Sequence, residues 1–129
     1  MKTSYFSNIR NIEIPLSISQ HPPKWYTGAQ LKLLAPPWAL VDLAHKGLSC
    51  EQYEAEFIRQ VLAPLDPQEV YDAIIAEYTN EVVLLCFEKL ENPGDFCHRR
   101  MVAKWFETNL KVEVPEWEKK PDFRSTLVF

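Results

Sequence analysis

The sequence predicts an α/β fold, and three observations carry that expectation. The run Val82-Val83-Leu84-Leu85-Cys86-Phe87 is continuously apolar and rich in β-formers, as expected of a central strand covered on both faces. Ser49 with Gln52, and Asp66 with Pro67, are helix-opening patterns followed by apolar residues at helical spacing. The chain has 129 residues, 47% hydrophobic and 25% charged, enough to bury one core. The expected architecture is a single α/β domain over residues 1–129, with a central mostly parallel or mixed sheet and helices on both faces.

Taken in order, Ser4-Tyr5-Phe6 reads as a first strand ended by Ser7-Asn8. From Ile12 to Ser19 the apolar residues alternate as Ile12, Ile14, Leu16 and Ile18, but Pro15 interrupts, which suggests an edge strand or two short pieces. His21-Pro22-Pro23 imposes an extended connection. Lys24 to Ala35 reads ambiguously, with Gly28 a turn. Pro36-Pro37 opens a helix whose expected apolar stripe is Trp38, Val41 and Leu43-Ala44, with Gly47 closing it. The helix opened by Ser49 should run through Phe57, Ile58, Val61 and Leu62 and stop before Pro64. That opened by Asp66-Pro67 carries Val70, Ile74 and Tyr78. After the strand, Asn92-Pro93-Gly94-Asp95 breaks the chain, with Asp95 as cap of a helix starting near Phe96. Val112 to Trp117 alternates weakly and is broken by Pro115; Leu127-Val128-Phe129 could form an edge strand.

The formal net charge of -4 and pI near 5.4 give no global basic footprint. That argues against non-specific binding to a phosphate backbone and leaves room for nucleic acid only at a local pocket. No apolar run approaches the ~18 residues of a membrane span, so no membrane partner is expected. The first residues, MKTSYFSNIR, lack the apolar core of a signal peptide, and the three cysteines are therefore read as reduced thiols of a cytoplasmic protein. The oligomeric state is not legible.

The densest chemistry lies between Val82 and Trp105. Alternate strand residues share a face, so Cys86 and Glu88 project together near the strand end. The following helix brings Cys97, His98 and Arg99 on or beside its inward stripe, while Arg100 is expected to face solvent. Strand carboxyl ends facing helix amino ends are where open α/β sheets bind ligands. Free amides of a first helical turn favour an anion, an arginine fork adds bidentate recognition, and the same helix end favours a cysteine thiolate.

Four chemistries fit. The first is an anionic small molecule held by Arg99, His98 and the helix amides. The second is nucleophilic catalysis by Cys97 or Cys86, with His98 or Glu88 as base; residues adjacent on a helix point about 100° apart, so a direct Cys97–His98 pair is not expected. The third is a metal held by Cys86, Cys97, His98 and a remote His21 or His45, although the spacing lacks the paired-cysteine knuckle of structural zinc. The fourth is a Cys86–Cys97 disulfide. Against each stands a plainer reading: Cys86 as a small buried side chain, His98 as a hydrogen-bonded structural residue, and Glu88 with Arg99 as an ion pair tying strand to helix. Trp25, Trp38 and Trp105 read as core or pocket wall, and Cys50 as incidental. Whether a cofactor is used is not legible in the sequence.

At these residues the chain resembles a known family. LLCFE followed by FCHRRMVAKWF is similar to the signature of domain of unknown function 488, and so are TSYFSNI, SIS at 17–19, PKWYTG at 23–28 and LAPPW at 34–38. The resemblance implies a compact α/β fold with these segments converging on one pocket. It implies that Ser4, Tyr5, Ser17, Ser19, Lys24, Trp25, Cys86, Glu88, Cys97, His98 and Arg99 line or support that pocket. The inserted Leu90-Glu91-Asn92 distinguishes the loop here. The functional expectation is a pocket for an anionic small molecule such as a nucleotide or nucleic-acid fragment. Its alternatives are an enzyme using a cysteine nucleophile or Glu88 as general base for hydrolysis or transfer, and a non-catalytic interaction protein.

Overall fold

The computed structural model describes residues 1–87 and 97–118. Four strands, β1 (Lys2–Tyr5), β2 (Pro15–Ser17), β3 (Ala29–Gln30) and β4 (Val83–Cys86), form one sheet in the order β1-β4-β2-β3. Every pairing is parallel: β4 runs beside β1 from Lys2↔Val83 to Tyr5↔Cys86, and beside β2 from Pro15↔Val83 to Ser17↔Leu85. The last strand in sequence is thus inserted between the first two. Its continuous apolar run follows from that position, because both flanks and both faces are covered.

The α/β class with a parallel sheet holds. Apolar residues of α1 (Trp38–His45), α2 (Cys50–Phe57), α3 (Pro67–Tyr78) and α4 (His98–Leu110) enter the cluster that contains Leu16, Val82 and Leu84. Val83 and Leu85 point the other way and meet Phe6, Ile12 and Tyr26, with Ile9 and Trp117 at the margin. None of those partners lies on an α-helix, so among the described residues the expectation of helices on both faces narrows to α-helices on one face, with turns and extended segments on the other.

Local signals placed most elements well. Ser49 and Gln52 form both halves of the capping box. Asp66 accepts from the amides of Gln68 and Glu69, with Pro67 in the first turn. Gly47, at φ 101°, ends α1: its amide reaches Ala44 while the Leu48 amide reaches back to Leu43, the paired bonds of a glycine-closed helix. The helix after Ser49 continues past α2 as a π-type turn over Ile58–Leu62, which delivers Val61 and Leu62 to the core before Pro64. No described helix is long and apolar enough to cross a membrane.

Several expectations are corrected. The first strand begins and ends one to two residues earlier than Ser4–Phe6, and Phe6 opens a 3₁₀ turn over Phe6–Asn8. Pro15 does not mark an edge: it is the first residue of the internal strand β2, and β3 pairs only with Leu16 and Ser17, so no partner on that side needs an amide at Pro15. On α1 the buried residue is Leu40, whereas Trp38 and Leu43 are exposed, so the expected stripe was rotated by about one residue. Glu88, the Asn92–Asp95 break and the Leu127–Phe129 segment lie outside the described residues.

Leu84→Ala removes a fully buried side chain from the strand on which the sheet is built and should cost about 3 kcal/mol. Trp38→Ala, at an exposed site, should cost less than about 1 kcal/mol. Urea unfolding of the two variants against the parent checks both, and a large loss at Trp38 would contradict the placement of α1.

Candidate functional site

The carboxyl ends of β1, β4 and β2 converge on the amino end of α4, and the reactive side chains meet there. Strand alternation sends Leu84 toward the helices and Val83 and Leu85 away, so Cys86 emerges on the helix side. It is fully buried, and its sulfur is bonded to that of Cys97 across 11 residues of sequence. The reading of all three cysteines as reduced thiols is therefore corrected for this pair. Cys50 is the free cysteine; burial, followed by the charges of Glu54 and Glu51, pushes its thiol up.

Cys97 is the N-cap of α4, in extended conformation at φ -146° and ψ 145°. This overturns the argument against a Cys97–His98 contact. The 100° rotation between neighbours applies to two helical residues, and Cys97 is not one. Its sulfur lies 3.8 Å from His98 Nδ1. The other ring nitrogen, Nε2, donates to the Ile18 carbonyl at 2.6 Å, just past the end of β2. Since a carbonyl can only accept, that bond fixes the proton on Nε2 and leaves the Nδ1 lone pair facing the sulfur. Burial lowers the His98 pKa to about 4; the Ile18 bond opposes this and the Arg99 charge adds to it. The imidazole is neutral near pH 7.

Arg99 is 1% exposed. It donates through Nη1 to the Cys86 sulfur at 3.1 Å, and through Nε and Nη2 to the two oxygens of Glu116 at 2.8 and 3.1 Å. The guanidinium also lies 5.7 Å from the centroid of the Tyr5 ring. The fork anticipated for an anionic ligand is thus filled by a carboxylate of the protein. Arg100 is half-buried, bonded to the Thr3 hydroxyl and the Val114 carbonyl, both at 2.8 Å; the expectation that it faces solvent is corrected. Glu116 was missed in sequence. It sits beside Pro115 in a segment that docks on β1 through Thr3 N to Pro115 O and Trp117 N to Thr3 O, which aims its carboxylate at the start of α4. The weak alternation from Val112 to Trp117 was the available signal, but it did not say which strand the segment would join.

Of the other expected residues, Ser17 and Ser19 are buried beside the Ile18 carbonyl, with the Ser19 amide donating to Ser17 Oγ. Ser4 is buried, and its hydroxyl accepts from the Asn8 side-chain Nδ2. Lys24 is exposed, and so is Trp25, which touches Phe6 edge-on at 6.4 Å on the sheet face away from the helices. Trp38 stands against His21. Neither tryptophan is core. Among the described residues, Cys86, Cys97 and His98 bring their donor atoms within 4.8 Å of one another, without His21 or His45. As arranged, the two sulfurs are spent on each other and a guanidinium stands 3.1 Å from one of them. A dication would have to share that space with a fixed positive charge.

Comparison with protein families matches residues 10–110, most of the chain, to the model DUF488-N3a, described as the active DUF488-N3 subclade. No curated protein and no solved structure matches the chain.

Because His98 is held neutral, folding should weaken in acid. The unfolded imidazole takes its proton near pH 6.5 and the folded one near pH 4. Its contribution is whole above pH 6.5 and disappears as pH falls to about 4, roughly 3 kcal/mol in total. Denaturant unfolding across that interval should show the slope, and His98→Gln should flatten it. Glu116→Ala deprives the buried guanidinium of two charged hydrogen bonds and should cost about 3 kcal/mol in the same assay; a loss below about 1 kcal/mol would mean that the fork is not structural.

Proposed function

The chain belongs to the DUF488-N3a family, and from that premise we propose that its reduced form is an enzyme in which the Cys97 thiolate is the nucleophile. The reaction class is hydrolysis or transfer on an anionic small molecule, with a nucleotide or nucleic-acid fragment as the leading chemical type. The contact between Cys97 Sγ and His98 Nδ1 carries the reading, because the Ile18 carbonyl leaves that nitrogen as the acceptor. The description of the matched subclade as active supports it.

Each described group has a role in this scheme. Cys97, at the amino end of the 13-residue helix α4, gains thiolate character from the helix amides. His98 Nδ1 receives the thiol proton, giving a thiolate and an imidazolium whose opposite charges hold each other. The thiolate attacks the electrophilic atom of the ligand and the bond to the leaving group breaks. The leaving group takes a proton as it departs, and water then releases the covalent adduct. The helix amides hold negative charge on the ligand. Arg99, its fork closed by Glu116, positions Cys86 and reaches the ligand only if the ligand's own anionic group displaces that carboxylate. Tyr5, beside the guanidinium, and Ser17 and Ser19, beside the Ile18 carbonyl, support the floor. A compartment that keeps thiols reduced, such as the cytoplasm, suits this chemistry.

The buried Arg99–Glu116 fork also favours a second reading, a non-catalytic interaction protein whose cluster is a brace. Alkylation of the reduced chain by iodoacetamide across pH separates the two. The enzymatic reading expects Cys97 to react as a thiolate well below the ~8.5 of an ordinary cysteine, with His98→Gln shifting the profile upward. In a panel of nucleotides and phosphate esters, it expects an adduct on Cys97 and turnover lost by about 10³-fold or more in Cys97→Ala, while Cys50→Ser is unchanged. An ordinary thiol profile at Cys97 would leave the brace.

A further inference from the structure

Two sulfurs joined across a catalytic-type junction are not equivalent, and their neighbours differ in a consistent direction. Cys86 is fully buried on β4, and the Arg99 guanidinium donates to its sulfur at 3.1 Å. Cys97 is 5% exposed, stands at a helix N-cap and faces an imidazole lone pair. Of the two residues, Cys97 is the slightly more exposed. A negative charge released on the other sulfur appears beside a guanidinium that is already in place and already held on its far side by Glu116.

We propose that Cys86 is the resolving thiol of Cys97, so that the disulfide is a reversible closed state formed by a hydroperoxide and reopened by a dithiol. The proposal rests on Cys97 being the nucleophile. In the closing direction the Cys97 thiolate attacks one peroxide oxygen, the O–O bond breaks, and the alcohol or water leaves with a proton, giving a sulfenic acid. The Cys86 thiolate then attacks the Cys97 sulfur, the S–O bond breaks, and hydroxide leaves as water after taking a proton. The two thiols have supplied the two electrons that reduced the peroxide. In the opening direction a thiolate of the external dithiol attacks Cys97 Sγ, and the S–S electron pair passes to Cys86 Sγ beside Arg99. The second thiol of the reductant then attacks the mixed disulfide, frees Cys97 and leaves as its own disulfide. Leaving-group stability governs the rate of such exchange, and the guanidinium gives that advantage to Cys86. While the bond is closed, Cys97 is no nucleophile, and the site is protected from over-oxidation.

The test uses the full chain carrying Cys50→Ser, so that only the pair can react. Reduced protein treated with one equivalent of hydrogen peroxide should lose two hydrogen masses and yield one peptide linking residues 86 and 97. With Cys86→Ser added, dimedone should label Cys97, and a small thiol should form a mixed disulfide there that persists. Label on Cys86 in the converse Cys97→Ser variant, at an equal or faster rate, overturns the assigned order. So does failure of the peroxide to close the bond. Arg99→Lys should slow opening of the disulfide by dithiothreitol several-fold near neutral pH and shift its pH profile, which a purely structural arginine would not do; an unchanged rate and profile would refute the leaving-group role. Should that variant not fold, the labelling order decides alone. Turnover that survives Cys97→Ala would sink the catalytic reading while the thiol pair still closed and opened, so the two ideas fail separately.

Discussion

Arg99 places a permanent positive charge where only 1% of the residue meets solvent, and the surrounding structure is arranged around that fact. A guanidinium cannot shed its proton to escape burial, so its donors must be met by the protein. Glu116 takes two of them, Cys86 a third, and the Tyr5 ring lies close to the cation. Each partner comes from a different part of the chain: the docked C-terminal segment, the end of β4 and the end of β1. Helix α4 is thereby fastened at its first turn to the two parallel strands whose ends form the floor of the site. Thr3 and Arg100 extend the same network, since the Thr3 hydroxyl meets both Arg100 and Glu116. The guanidinium is thereby committed to holding α4 on the sheet.

The second constraint is backbone conformation at Cys97. Had the helix begun one residue earlier, Cys97 and His98 would diverge and the imidazole would face elsewhere. Extended φ and ψ at the cap bring the sulfur alongside Nδ1, and the Ile18 carbonyl orients the ring from behind. That carbonyl is available because β2 has just ended at Ser17: the Ile18 amide is used by Leu85, but its oxygen points past the sheet. The topology thus supplies the carbonyl that orients the imidazole. A parallel sheet aligns its carboxyl ends on one side, so a helix returning over that edge meets several strand-end carbonyls at once.

What could be read from the sequence was what depended on local periodicity and capping. Val82–Phe87 announced a central strand, Ser49 and Asp66 announced helix starts, and the strand-to-helix junction located the reactive cluster. What could not be read depended on partners distant in sequence. Glu116 is 17 residues from Arg99 and 113 from Thr3, and no local pattern marks it as their counter-charge. Pro15 looked like an edge because proline lacks a donor, but whether a donor is needed depends on how far the neighbouring strand extends, here only to Leu16. The apolar stripe of α1 slipped because its tryptophan was assumed to be inside; Leu40 serves that purpose, and Trp38 packs on the surface beside His21. Helices were expected on both faces because a run buried on both sides usually implies it. Among the described residues, Phe6, Ile12 and Tyr26 cover the second face without an α-helix.

The two halves of the thiol pair therefore differ for reasons that reach back to the fold. Cys86 is the last residue of the most buried strand, and nothing polar would be tolerated beside it without a strong reason. Arg99 reaches it only because the end of β4 abuts the start of α4. Cys97 lies at the margin of the same junction, where a helix has amides to spare and a neutral imidazole offers a lone pair. A sulfur stabilised by a buried guanidinium is a good leaving group; one beside helix amides and a proton acceptor is a good attacker. Placing one of each within bonding distance separates two properties that a single cysteine has to compromise between. That separation depends on the inserted strand, which carries Cys86 to the start of α4, and on the extended cap at Cys97.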